Sequence, residues 1–292
     1  MNIRHPRIKT LMIAGLTAVA PLCKATAESA IHPTLGTLFE PLLADPMDPR
    51  IGVMTKLDRK EVQLDIGAPV DLYQSPNRDF AVGVDFATWS LLKRGDNFKF
   101  PVDAIDYLFG VIATWQRKLV NSSLPFDTAT TKLRLSHISA HFEDGHTDAN
   151  GAWLNPELTP LGKIPFTYSR EFINLTTALS GSGNKVYLGY QYMFHTIPGG
   201  INPHSFQAGA EVGLPANSYL AADFKLLPVW NNATQKSDAF RGTWNLQAGM
   251  RLTSIGLDKA RVVCNYFNGI SRQGMYLNQT ENYTSLGFIV DM

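Results

Sequence analysis

From about residue 50 onward the chain alternates between apolar and polar positions. Along residues 244–252, Trp244, Leu246, Ala248, Met250 and Leu252 interleave with Asn245, Gln247, Gly249 and Arg251. Along 206–214, Phe206, Ala208, Ala210, Val212 and Leu214 interleave with Gln207, Gly209 and Glu211. Successive side chains of a β-strand point to opposite faces, so each stretch reads as a strand with one apolar and one polar side. About twelve such segments are predicted, near 50–57, 61–71, 80–93, 104–119, 130–142, 169–179, 186–196, 205–213, 219–229, 242–253, 260–269 and 282–291. Clusters of Gly, Pro, Asn, Asp and Ser separate them.

Residues 131–142 carry the pattern most informatively. Lys132, Arg134 and Ser136 share one side, while Leu133, Leu135, His137, Ser139 and His141 share the other. That is the pattern of a wall between water and lipid. Strands of roughly ten residues, even in number and with no spanning helix, predict an all-β fold: a transmembrane antiparallel β-barrel of about twelve strands. With the apolar rows outward, the inward charges are Asp65, Asp85, Lys132, Arg134, Arg170, Glu211, Asp223, Lys225, Arg251, Arg261 and Asp291. Both signs occur on neighbouring strands, and cross-strand pairing would close or narrow the lumen. A soluble periplasmic lipid-binding barrel is the inverse reading, with the apolar rows inside. A one-residue slip of register would exchange the two.

Composition narrows the class. Charged residues make up 17%, aromatics 11%, and the net charge is +1, which gives no reason to expect a nucleic-acid partner. Arg4, His5, Arg7 and Lys9 precede an apolar run over 11–22 and the small-x-small site Ala25-Thr26-Ala27, the pattern of a signal peptide over 1–27. Its removal leaves Cys264 alone, so no internal disulfide is expected. Residues 28–49, rich in proline, are predicted as a periplasmic lead-in, with the barrel over 50–292. The expected setting is the outer membrane of a Gram-negative bacterium, with outer-membrane lipids and the barrel assembly machinery as partners and a monomeric barrel. The alternating end Leu286, Phe288, Val290 suits recognition by that machinery. Tyr107, Trp115, Tyr168, Tyr190, Tyr192, Phe194, Trp230, Phe240, Trp244, Tyr266, Phe267 and Tyr283 are expected to form interfacial girdles.

The run Phe39-Glu40-Pro41-Leu42-Leu43-Ala44-Asp45-Pro46, continuing to Pro49-Arg50, resembles the opening signature of the domain of unknown function 1207 family. It has Pro46-Met47 where the family has Pro-Arg. Residues 244–252 and the run Tyr266-Phe267-Asn268-Gly269-Ile270-Ser271-Arg272-Gln273-Gly274 resemble it too. The resemblance implies a Gram-negative outer-membrane barrel and leaves the activity unassigned.

His137-Ile138-Ser139 is similar to the His-x-Ser pair of outer-membrane phospholipase A. That similarity implies a serine hydrolase acting on membrane lipids, with His137 as base and Ser139 as nucleophile. Calcium would be a cofactor in that case only; otherwise none is expected. The phospholipase motif continues with Asn-Gly, whereas Ala140-His141 follows here, and Asn150 or Asn155 would have to orient the histidine. His137, His141, Glu143, Asp144, His146 and Asp148 lack a standard ligand spacing, so no metal site is predicted. The leading expectation is a barrel of undetermined activity, structural or of narrow-lumen transport, with the lipid hydrolase as alternative.

Overall fold

A computed structural model describes residues 34–35, 37–120, 125–142, 146, 148, 154 and 168–291. The strands are β1 (Thr34–Leu35), β2 (Ile51–Lys56), β3 (Glu61–Gln74), β4 (Phe80–Lys93), β5 (Val102–Lys118), β6 (Thr128–Phe142), β7 (Tyr168–Gly181), β8 (Asn184–Ile197), β9 (His204–Gly213), β10 (Ser218–Asn231), β11 (Lys236–Leu252), β12 (Leu257–Ile270) and β13 (Thr280–Val290). From β2 to β13 each pairs antiparallel with the next, and β13 pairs back onto β2. The result is a closed barrel of twelve wall strands.

The wall is inside-out relative to a soluble protein. Leu188 is 70% exposed and Leu220 52%, whereas Arg261 is 1% exposed and Asp223 2%. Apolar rows face outward along every barrel strand sampled by the alternation, which rules out the soluble barrel with an apolar interior. Register decides the fate of the aromatics. Trp115, Tyr190, Tyr192, Phe194, Phe240, Trp244 and Tyr266 lie on the outer surface as expected of girdles. Tyr168, Trp230, Phe267 and Tyr283 are instead buried inside. Neighbours such as Tyr266 and Phe267 cannot share a face of one strand, so one of each such pair must point inward. Cys264 is on the outer wall.

The two ends of the barrel differ. At the end holding Ile51 and Val290, connections include the two-residue turn Ser182-Gly183 and the 214–217 and 253–256 turns. Ser182 and Gly183 have φ of 50° and 77°, the doubly positive geometry that matches strand twist in a two-residue hairpin. We call this the terminal end. At the opposite, loop end β6 finishes at Phe142, β7 starts at Tyr168, and the 271–279 loop joins β12 to β13.

Residues 37–49 of the predicted periplasmic lead-in lie within the barrel. β4 pairs along the whole of one edge of β3; on the other edge β2 takes residues 62–65 and β1 takes Val70 and Asp71. β1 and β2 therefore share one place in the wall, and residues 37–50 between them turn into the lumen. Phe39, Leu42, Leu43, Ala44, Asp45, Asp48 and Arg50 are buried there. Residues 1–33, including the predicted signal peptide, lie outside the described residues.

The 271–279 loop turns inward from the loop end. Its Gly274, Met275 and Tyr276 form a buried turn of 3-10 helix. Gly274 lies so close to the Tyr168 ring that an added Cβ would fall 2.3 Å from Tyr168 Cδ1, which is why a glycine stands there. Gln273 Nε2 donates to the Trp89 carbonyl at 2.8 Å, and the Gly274 N–H to Asp106 at 2.9 Å.

Candidate functional site

Residues 37–50 have no strand or helix of their own, so their backbone groups need partners. Side chains of the wall supply them. The Leu38 N–H donates to Asp71 at 2.7 Å and the Leu43 N–H to Glu211 at 2.8 Å. Asn245 Nδ2 donates to the Ala44 carbonyl at 2.6 Å, and Lys185 Nζ to that of Pro41 at 3.1 Å. The polar inward rows are thus sockets for an inserted segment.

Charge completes the seating. Asp48 lies 3.4 Å from both Lys132 and Arg134, and Arg134 reaches Asp85 at 2.5 Å. Burial opposes ionisation of Asp48, yet Lys132, Arg134 and the Leu42 N–H bring its pKa down to about 2. Asp45 pairs with Lys225 and accepts from Gln207 at 2.8 Å. Lys132 also sits 4.3 Å from the Phe39 ring centre, a cation–π contact.

The two inward segments are tied at Asp65, which is fully buried. Arg50, at the end of the plug, donates to it at 2.9 Å, and Arg272 of the inward loop at 3.2 Å. Arg272 also donates to the Pro46 carbonyl at 3.2 Å. Plug and loop therefore meet through one guanidinium inside the barrel.

The remaining predicted lumen charges take varied places. Glu211 pairs with Lys185 at 3.3 Å as well as holding Leu43, and Asp223 accepts from Tyr187 at 2.9 Å. Arg251 meets Asp291 at 3.3 Å at the terminal mouth. Arg170 points inward with its guanidinium 5.9 Å from the Tyr168 ring centre and 5.8 Å from that of Phe172.

His137 and Ser139 are on the outer wall toward the loop end. Across the strand pairs His137 stands opposite Glu171, and Glu171 opposite His195. His137 Nδ1 is 2.7 Å from Glu171 Oε1, Ser169 Oγ donates to the same oxygen at 3.2 Å, and His195 Nδ1 bonds the other oxygen. A carboxylate at Nδ1 fixes the proton there, so the neutral ring keeps its lone pair on Nε2. Ser139 stands opposite Tyr107 and Ser169, and its hydroxyl makes no hydrogen bond among the described residues. Asn150, Asn155, Glu143 and Asp144 fall outside the described residues. His146 Nε2 bonds the Asp103 carbonyl at 2.8 Å, and among the described residues no cluster of His, Cys, Asp or Glu is arranged to hold a metal.

Sequence reasoning missed Asp45, Asp48, Arg50 and Arg272 in the lumen, and Glu171 and His195 on the wall. The first four lie in the stretches quoted for the family resemblance, which was the available signal. Nothing local marks the last two.

Comparison with known proteins agrees with the fold. No curated protein matches the chain by sequence. Among solved structures it is similar to the Salmonella typhi outer membrane phospholipase dimer with bound calcium, at 12% identity and a TM-score of 0.55, covering 87% of this chain and 94% of that one. It is similar also to outer membrane phospholipase A from Escherichia coli, again at 12% identity and 0.55, covering 82% and 95%. At such identity the likeness is one of fold. The pattern of a protein family described as of unknown function, DUF1207, matches residues 113–291, well over half of the chain. That span includes the inward loop and the sockets Lys132, Arg134, Lys185, Glu211 and Asn245. The chain belongs to the DUF1207 family of proteins of unknown function.

Proposed function

We propose that this protein is an outer-membrane barrel closed at rest, with a narrow-lumen transport role in which residues 37–50 are the gate. The observation that carries this reading is that the plug partitions the lumen. Residues 38–41 and Leu43 line a chamber of about 700 Å³ at the terminal end, while Leu42 and residues 45–48 line the inner chamber on the other side. The seal is made of ion pairs and hydrogen bonds, which water can replace when the segment moves, unlike an apolar core. In this reading the protein is exported by its signal peptide, is inserted by the assembly machinery into a Gram-negative outer membrane, acts as a monomer among lipids, and needs neither cofactor nor nucleic acid. Planar-bilayer recording tests it. Wild type is expected to stay silent and Asp45→Asn/Asp48→Asn to conduct in discrete steps; a folded double variant as silent as wild type would leave the barrel a structural one.

A second reading has its own observation, the carboxylate of Glu171 behind His137. A serine hydrolase needs a base held in one tautomer, and Glu171 supplies what Asn150 or Asn155 was expected to supply. Ser139 is the nucleophile in this reading, and calcium its cofactor. Hydrolysis of a fluorogenic phospholipid by the detergent-folded protein, with calcium and with chelator, is expected to vanish in Ser139→Ala. Turnover unchanged in that variant would remove the assignment.

A further inference from the structure

The charges lining the inner chamber do not all cancel. Lys132 and Arg134 face Asp48, Lys225 faces Asp45, and Arg272 faces Asp65. Arg170, the remaining cation on that wall, makes no ion pair among the described residues. Asp106, whose charge acts on Arg170, lies beyond ion-pair distance and accepts the Gly274 N–H.

Hydrogen-bonding capacity is unbalanced in the same sense. The inner chamber, with a cavity volume of about 110 Å³, abuts a second of about 60 Å³ at the loop end, and Arg170, Ser205 and Arg272 line both. On their walls the buried donors Arg170 Nε, Arg272 Nε, Trp89 Nε1, Trp230 Nε1 and Ser237 Oγ have no protein acceptor. Arg134 Nε is set apart because it is ion-paired to Asp85. Against these donors stand two acceptors without a partner, Gln273 Oε1 on the wall and Asp106 Oδ1 just behind it, and the Ser237 hydroxyl, which can also accept. Buried polar groups in native proteins are almost always paired, and a surplus of donors asks for an acceptor-rich, negatively charged partner. Phe172, Leu227 and Ile270 add apolar wall beside them, while Ile201 and Leu277 are half-buried at the loop-end rim.

We infer that the loop-end half of the lumen is a binding site for a small organic anion, a carboxylate or phosphate monoester with an apolar body, whose acidic group is held by Arg170. The inference goes beyond the gating reading, because occupancy of this site does not need residues 37–50 to move. Arg170 suits such a ligand because its planar fork matches a carboxylate or phosphate, and the Tyr168 and Phe172 rings hold the guanidinium in place without neutralising it.

Calorimetric titration of the full-length, detergent-folded protein with phenyl phosphate and with benzoate tests this, with benzyl alcohol and benzylammonium as neutral and cationic controls. At least one anion is expected to bind saturably and neither control to bind. Arg170→Gln is expected to weaken binding by about tenfold or more, and Arg170→Lys by less, since it keeps the charge and loses the fork. Trp230→Phe removes one orphan N–H while keeping an aromatic ring and is expected to weaken binding by roughly threefold, which keeps the inference testable if Arg170→Gln does not fold. No saturable anion binding by wild type would overturn it. So would equal binding of the controls, or affinity unchanged in the folded variants.

Discussion

Asp65 and Glu171 are the same device in two settings: each is a carboxylate placed between two basic side chains. Asp65 is fully buried, and its partners Arg50 and Arg272 arrive from the plug and from the inward loop. Glu171, with 27% of its side chain exposed, has His137 and His195 on the neighbouring strands of the wall. In the lumen the arrangement is architectural. A buried carboxylate needs its cations to offset desolvation, and those cations anchor the segments that carry them. On the wall no inward segment depends on the trio, and the same strand face carries Leu133 and Leu135 a few residues away. In the hydrolase reading proposed above this trio is chemistry and not architecture, and that is where the two carboxylates can be told apart.

The largest expected effect is at Asp65. Asp65→Ala leaves two buried guanidiniums without their carboxylate, and removing one partner of such a pair costs about 3–5 kcal/mol. Urea unfolding followed by heat-modifiable migration on gels is the measurement. A shift within about 0.5 kcal/mol, the range of ordinary surface substitutions, would mean that plug and loop are held by something other than Asp65.

Next comes the wall itself. Leu135, at the centre of β6 and facing outward, lies two residues from His137 on the same face. Leu135→Arg is expected to cost about 2–4 kcal/mol in lipid vesicles, the depth-dependent cost of a cation at mid-membrane. The cost should fall for arginine placed at His141, near the end of the strand. Equal tolerance at both positions would show that Leu135 does not face hydrocarbon, and the contrast between lumen and wall would lose its basis.

Acid probes the lumen side of the contrast. Asp48, on the plug and outside the spanning strands, has a folded pKa lowered to about 2 from 3.8. A depressed carboxylate contributes stability above its unfolded pKa and loses it as pH falls through the folded one. The plug is therefore expected to stay seated at pH 5 and to loosen as pH falls from about 4 towards 2. Bilayer conductance or protease access to residues 37–50 across that range would check it, and opening already at pH 5 would contradict the role given to Asp48.

The wall was legible in the sequence because its signal is local and repeated. The strand expected over 80–93 is found over Phe80–Lys93. Where β11 begins six residues earlier than expected, at Lys236 rather than 242, residues 236–241 are half-buried or exposed on both faces, so no alternation marks them. The plug was not legible as a plug. Residues 37–50 lie in no regular ladder and carry no period, and their partners are distant in sequence, as with Leu43 and Glu211, 168 positions apart. The site divides in the same way. His137 and Ser139 are adjacent along one strand and could be read directly, whereas Glu171 reaches His137 only through the β6–β7 register, across a connection whose length hides the pairing.

Glu171→Gln is the smallest perturbation and the most discriminating. Glu171 fastens no inward segment, and glutamine keeps its shape and an acceptor, so the change should cost only about 1 kcal/mol of stability. If His137 acts as a base, the same change removes the charge that steadies the imidazolium while keeping an acceptor for Nδ1. Phospholipid turnover should then fall by roughly tenfold or more in kcat with KM nearly unchanged, because the positioning residue touches His137 and not the substrate. The reverse result, several kcal/mol of lost stability with turnover untouched, would make Glu171 an architectural carboxylate like Asp65, and the polar trio would become a fastening between strands β6, β7 and β8.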